Sequence, residues 1–193
     1  YKMKKNLCMQ EIGKKARVAS LRLANTDISK RNSALKQFNK YLKKYSQLIL
    51  NENKKDISFA KSKKIKISMI ERLELSDKKI KQIQNSIKEI IKFKDPLGKT
   101  LSQWKRPNGL IIKKISIPIG AIGVIYESRP NVTSDVSSLC FKTGNSVILR
   151  GGSEAFHSNK ILAKLFRKAL KKKNLDENCV QFIDNKNRKH VDY

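Results

Sequence analysis

Residues 119–160 read IGAIGVIYESRPNVTSDVSSLCFKTGNSVILRGGSEAFHSNK, and the order of apolar runs, turns and helical periods within them decides the fold. The run at 119–126 is almost continuously apolar, as expected of a strand buried on both faces. ESRPN at 127–131 turns the chain. Val132, Val136, Leu139 and Cys140 then fall on one helical face, and Gly144 suits the position just past a helix end. SVIL at 146–149 is a second short strand, and RGGS at 150–153 a second turn. Beyond it, Ile161, Leu162, Leu165, Phe166 and Ala169 form the apolar face of another helix. Lys168 and the lysines at 171–173 suit that helix's C-terminal end, where cations complement the dipole. CVQFID at 179–184 reads as a third strand. Strand, helix, strand, helix, strand predicts a parallel α/β sheet with right-handed crossovers.

Ligands of such sheets sit beyond the carboxyl ends of the strands, and both ESRPN and RGGSE fall there. A glycine pair permits close approach of backbone, and a helix N-terminus offers N–H groups to an anion. The sequence is neither GxGxxG nor a Walker A loop. Pattern alone fits a phosphate site and a plain strand-to-helix turn equally well.

Upstream, the chain changes character near residue 95. All four prolines lie between Pro96 and Pro130, and seven of the eight glycines lie from Gly98 onward. Before that the periodicity is helical. Leu35, Phe38, Leu42, Tyr45 and Ile49 recur at steps of three and four, as do Ile80, Ile83, Ile87, Ile90 and Ile91, with lysines on the opposite, solvated faces. DPLG at 95–98 breaks the helical run. RPNG at 106–109 is turn chemistry between TLSQW and the β-branched LIIKKISI, and predicts a β-hairpin. The hairpin has no core of its own and is expected to pack on a partner.

The 193 residues carry 44 Lys+Arg against 16 Asp+Glu, a net charge of +28, with 39% hydrophobic residues. That content supports a core, and the charge raises nucleic acid as a partner. The basic residues are dispersed, however, and Lys, Asn and Ile crowd the chain together as AT-rich codon usage would produce. No stacking-aromatic or helix-turn-helix signal accompanies them. Cys8, Cys140 and Cys179 are odd in number and far apart, which argues against a disulfide framework and for a reducing compartment. No CxxC or His/Cys cluster suggests a metal. Neither a signal sequence nor a membrane span is apparent, so a cytoplasmic location is expected.

IYESRPNVT at 125–133 and GNSVILRGGSEA at 144–155 closely resemble the cofactor-domain core of the γ-glutamyl phosphate reductases, also called glutamate-5-semialdehyde dehydrogenases, of the aldehyde dehydrogenase superfamily. IERLELSDKKI, KDPLGK and PNGLIIKKISIPIG match the same family in order, so the resemblance covers essentially the whole chain. It implies a Rossmann-like parallel sheet of the aldehyde dehydrogenase type, preceded by N-terminal helices and a β-hairpin arm. On this division, 1–98 is the helical part of the cofactor-binding domain, 99–117 an oligomerisation arm and 118–193 an incomplete βαβαβ NADP-binding core, with the catalytic domain absent. The implied reaction is reduction of L-glutamate 5-phosphate by NADPH to L-glutamate 5-semialdehyde and phosphate, in L-proline biosynthesis. Glutamate 5-kinase would supply the substrate, and a homo-oligomer is expected. The alternatives are an NAD-preferring aldehyde dehydrogenase relative, the reductase half of a bifunctional pyrroline-5-carboxylate synthase, or a basic nucleic-acid-binding protein.

The resemblance also assigns residues. Asn131 matches the oxyanion-hole asparagine, whose amide donates without titrating. Read without the family, Asn131 is better explained as a cap of the helix after Pro130. Arg150 matches the basic residue that reaches the adenosine ribose or its 2′-phosphate; the other reading is a solvated strand-end arginine. Gly151, Gly152, Ser153 and Glu154 complete the cofactor turn, Ser153 as helix cap or cofactor ligand and Glu154 as a ribose contact. Arg129 is a candidate for orienting substrate, and His157 reads as surface polar. The family's nucleophile is a cysteine in a later glycine-rich segment, and none of the three cysteines here sits in such a motif.

Overall fold

The computed structural model describes residues 2–184, with side chains from residue 9. Five helices come first: α1 (Lys2–Ala24), α2 (Ile28–Lys44), α3 (Ser46–Ser62), α4 (Ile67–Leu73) and α5 (Asp77–Lys92). A hairpin of β1 (Thr100–Lys105) and β2 (Ile111–Ile115) follows. The remainder runs β3 (Ala121–Ile125), α6 (Pro130–Lys142), β4 (Ser146–Arg150), α7 (Phe156–Lys172) and β5 (Val180–Phe182). The parallel sheet has the order β3-β4-β5. Among the described residues, no helix is long and apolar enough to cross a membrane.

The period-2 rule explains the layering. Val147 and Leu149 point from β4 into the main core, beside Phe141 of α6 and Phe166 of α7. Ser146 points the other way, and its hydroxyl donates to the Ala16 carbonyl of α1 at 2.8 Å. Gln181, level with Ile148 in the ladder, donates to the Ile12 carbonyl at 2.8 Å. Thus α1 covers one face of the sheet, and α6 and α7 cover the other. The expected apolar faces of α2, α5 and α7 are buried there, with Phe38 and Phe166 ring centroids 4.4 Å apart. The Leu35–Ile49 stripe continues across a break at Tyr45, where α2 hands over to α3.

Two expectations about β3 and α6 fail. β3 is not buried on both faces: it lies at the sheet edge, and Ala121, Gly123 and Ile125 are exposed. The buried stripe of α6 is not the aliphatic one. Thr133, Ser134, Ser137, Ser138 and Phe141 are buried, Val132, Val136 and Cys140 are half-buried, and Leu139 is exposed. Small hydroxyl side chains let α6 lie close to its neighbours; the Ser134 and Ser138 hydroxyls have no hydrogen-bond partner among the described residues, whereas Ser137 and Thr133 do. Ser137 donates to the Thr133 carbonyl at 2.6 Å, and Thr133 to Asn159 Oδ1 at 2.8 Å. Gly144 takes its expected place after α6, with φ +75° and its N–H on the Phe141 carbonyl.

Two buried cations tie the helical part to this unit. The Arg31 guanidinium meets the Asp95 carboxylate at 2.5 Å and donates to the Lys142 carbonyl. Lys142 donates to Asn32 Oδ1 and to the Ile91 carbonyl, and burial, with Arg31 nearby, lowers its pKa. The hairpin stands apart as its own two-stranded sheet, closed by the Arg106–Gly109 turn with Gly109 at φ +85°. Its residues are exposed except Ile112.

Candidate functional site

The ends of β3 and β4 carry two turns that meet. After β3, the segment 126–129 leads into α6, with Pro130 preorganising the first helical position. After β4, Arg150, Gly151 and Gly152 lead into a 3-10 turn, Ser153–Ala155, and then α7. Between them lies a cleft of about 470 Å³. Arg129 and the whole 150–154 segment line it, joined by Ser128 and by Met69 and Arg72 from α4.

Glu154 bridges the two turns. Its carboxylate accepts from the Ser128 hydroxyl at 2.5 Å and from the Ser153 hydroxyl at 2.9 Å. Ser153 therefore does not cap α7. Arg150 is not the solvated strand-end residue considered above: it is only 7% exposed, and its Nη1 donates to the Gly151 carbonyl at 2.9 Å. That contact holds the turn from beneath. A buried network fixes the other side, with Tyr126 Oη 2.6 Å from Thr133 Oγ1, which in turn donates to Asn159. Burial pushes the Tyr126 phenol up to about 12, so it stays protonated across the neutral range.

The glycine pair has a steric cause within the chain itself. A Cβ on Gly151 would stand 2.2 Å from Asn159 Nδ2, and one on Gly152 would stand 2.4 Å from Ser128 Oγ. Neither turn depends on a positive φ at these two residues. The space left by the missing side chains is taken by Asn159 and Ser128.

The N-terminus of α7 does not hold two of its N–H groups open for an external anion. Asp56 of α3 reaches across and accepts the N–H of His157 at 3.0 Å and that of Ser158 at 2.7 Å, together with the Ser158 hydroxyl at 2.6 Å. Burial pushes the Asp56 carboxyl above its ordinary range, and these three donors oppose the shift. The carboxylate is the helix's own counter-ion. Replacing Asp56 with alanine orphans buried donors, and the expected loss is about 2–3 kcal/mol. For a chain of this size that lowers the melting temperature by about 4–12 °C in a circular dichroism melt. A change of under about 2 °C would mean that water replaces the carboxylate. His157 is half-buried, with Nδ1 3.6 Å from Glu52 and its ring edge-on to Phe156.

Asn131 lies apart from the glycine turn. It is the second residue of α6, exposed, and it lines a neighbouring cleft of about 340 Å³ between α5 and α6. Arg129 occupies the N-cap position, so the capping alternative for Asn131 does not hold. Its amide donates instead to Asp135 Oδ2 at 3.3 Å. Arg72 borders both clefts. The structure thus brings Arg129 and residues 150–154 together and places Asn131 next door. Sequence reasoning missed Ser128, which lay within the quoted ESRPN turn. It also missed Arg72 and Asp135, which line these clefts, and Asp56, which holds the start of α7; none of the three carries a local signal.

No family model matches the chain. A γ-glutamyl phosphate reductase of Caldicellulosiruptor bescii is 44% identical over 178 residues, covering 92% of this chain and 42% of that protein. The crystal structure of γ-glutamyl phosphate reductase from Thermotoga maritima matches with a TM-score of 0.93 at 39% identity, over 95% of this chain and 44% of that one. Propionaldehyde dehydrogenase of Rhodopseudomonas palustris matches with a TM-score of 0.65 at 14% identity, a likeness of fold alone. The chain spans less than half the length of these relatives. By sequence and by fold, the chain matches the N-terminal portion of γ-glutamyl phosphate reductases, and its fold is that of the aldehyde dehydrogenases.

Proposed function

We propose that this chain is the cofactor-binding part of an enzyme that reduces L-glutamate 5-phosphate with NADPH, releasing L-glutamate 5-semialdehyde and phosphate for L-proline biosynthesis. The observation that carries this reading is the match of more than nine-tenths of this chain to part of the γ-glutamyl phosphate reductases, joined to a cleft at the carboxyl ends of β3 and β4. The residues of that cleft fit a dinucleotide. Arg72, Arg129 and Arg150 supply cations for phosphate, and Glu154 already accepts two hydroxyl donors, as a ribose would provide. When bound, NADPH supplies the hydride. This chain's residues bind and orient: Arg150 toward the adenosine 2′-phosphate, 151–154 along the ribose, Arg129 toward substrate, and Asn131 toward the acyl oxygen. On this reading residues 118–193 form the cofactor core and 1–98 its helical support.

On this reading the nucleophile is none of Cys8, Cys140 and Cys179. Burial raises the thiol pKa of Cys140, and that of Cys179 to about 12, so neither offers a thiolate near neutral pH. The test is NADPH oxidation by a full-length reductase carrying this segment, with L-glutamate 5-phosphate formed in place by glutamate 5-kinase. Turnover that survives Cys140→Ser is expected. Absence of turnover in the parent enzyme, or its loss only in Cys140→Ser, would overturn the assignment.

The hairpin is the oligomerisation arm in this reading, and the site of action is the cytoplasm. Leu101, Trp104, Ile111 and Ile115 are exposed on two strands with free outer edges, a surface suited to pairing with another subunit. Deleting 100–115 from the full-length enzyme is expected to shift it toward monomer in sedimentation velocity. An unchanged oligomer would refute this role.

A further inference from the structure

We propose that Asp135 is a positioning residue that sets the orientation of the Asn131 amide. The inference rests on the reading of Asn131 as the oxyanion donor. A carboxamide has one donating and one accepting end, and only the NH₂ end can stabilise a developing oxyanion. At an exposed position near a helix start, such an amide would otherwise be able to present either end.

The geometry removes that freedom. Asn131 and Asp135 are four residues apart on α6 and therefore share a face. An ionised carboxylate only accepts, so the amide atom 3.3 Å from Asp135 Oδ2 is the nitrogen. One N–H goes to the carboxylate, and the other is left to point elsewhere. Asp135 is itself held from a second helix, because the Ser86 hydroxyl of α5 donates to its Oδ1 at 2.9 Å. Both carboxylate oxygens thus have assigned partners. Asn131, Asp135 and Ser86 line one cleft, together with Arg72 and Lys79. Burial pushes the Asp135 carboxyl above its ordinary range, and the hydrogen bonds from Ser86 and Asn131 oppose that shift.

The experiment compares Asn131→Ala, Asp135→Ala and the double variant in a full-length reductase carrying this segment. Asp135→Ala is expected to lower kcat by about ten- to a hundredfold, as a misplaced catalytic group does. NADPH affinity, read by fluorescence titration, stays unchanged. In the Asn131→Ala background, removing Asp135 costs no further kcat, since the carboxylate acts only through that amide. Losses that multiply in the double variant would overturn the proposal, as would full kcat in Asp135→Ala beside an impaired Asn131→Ala. If Asp135→Ala loses NADPH binding through misfolding, Asp135→Asn takes its place in the same cycle. Full kcat in Asn131→Ala would instead remove the oxyanion reading itself, and that outcome is visible before Asp135 is tested.

Discussion

Asn131→Ala in a full-length reductase carrying this segment is expected to lower kcat by about 10²- to 10³-fold, the usual cost of deleting one oxyanion donor. The expectation comes from the family match of IYESRPNVT together with the position found for the residue. Asn131 is exposed at the start of α6, it does not cap that helix, and it borders a cleft beside Arg72. Its side chain is not part of the buried core, so the substitution removes a donor without opening a cavity. Melting temperature and NADPH affinity should therefore stay near those of the parent, and the loss should fall on kcat. Steady-state NADPH oxidation and a thermal melt, run on the same preparation, separate the cases. A tenfold or smaller loss in kcat, or a matching loss of stability, would make Asn131 a residue of the fold rather than of the chemistry.

Arg150→Ala is expected to weaken NADPH binding by about ten- to a hundredfold, from a charge-assisted contact contributing roughly 1.5–3 kcal/mol. Arg150 lines the larger cleft, and its guanidinium is held against the Gly151 carbonyl at the start of the turn. A planar fork suits a phosphate that NADPH has and NADH lacks. NADH affinity should accordingly change far less. Fluorescence titration of both cofactors against parent and variant tests the point. Equal losses for the two would mean that Arg150 supports the turn or the ribose, an outcome its buried contact with Gly151 makes physically specific. No loss for either would leave RGGSE a strand-to-helix turn whose glycines serve Asn159 and Ser128.

The order of elements from α5 onward is legible in the sequence, because it rests on local signals. The apolar stripes of α2, α5 and α7 follow the 3.6-residue period, RPNG marks a hairpin, and Gly144 marks the end of α6. Two short apolar runs joined through helices leave few topologies other than a parallel sheet. That a cleft opens where the RGGSE and ESRPN turns meet agrees with that topology.

Which atoms those turns use was decided only by the tertiary structure. Hydrophobicity pointed to Val132, Val136 and Leu139 as the inner face of α6, but close helix approach buried the serines and threonine instead. An apolar run looked like a central strand, yet its exposure depends on which neighbours pair with it, and β3 is at the edge. The N–H groups at the start of α7 looked open to a ligand until Asp56, about a hundred residues earlier, was seen to take two of them. A sequence fixes local periods and turn chemistry, because both act within a few residues. The partner of a buried polar group is set by contacts between distant segments, so Asp56, Arg72 and Asp135 became readable only once the helices were packed.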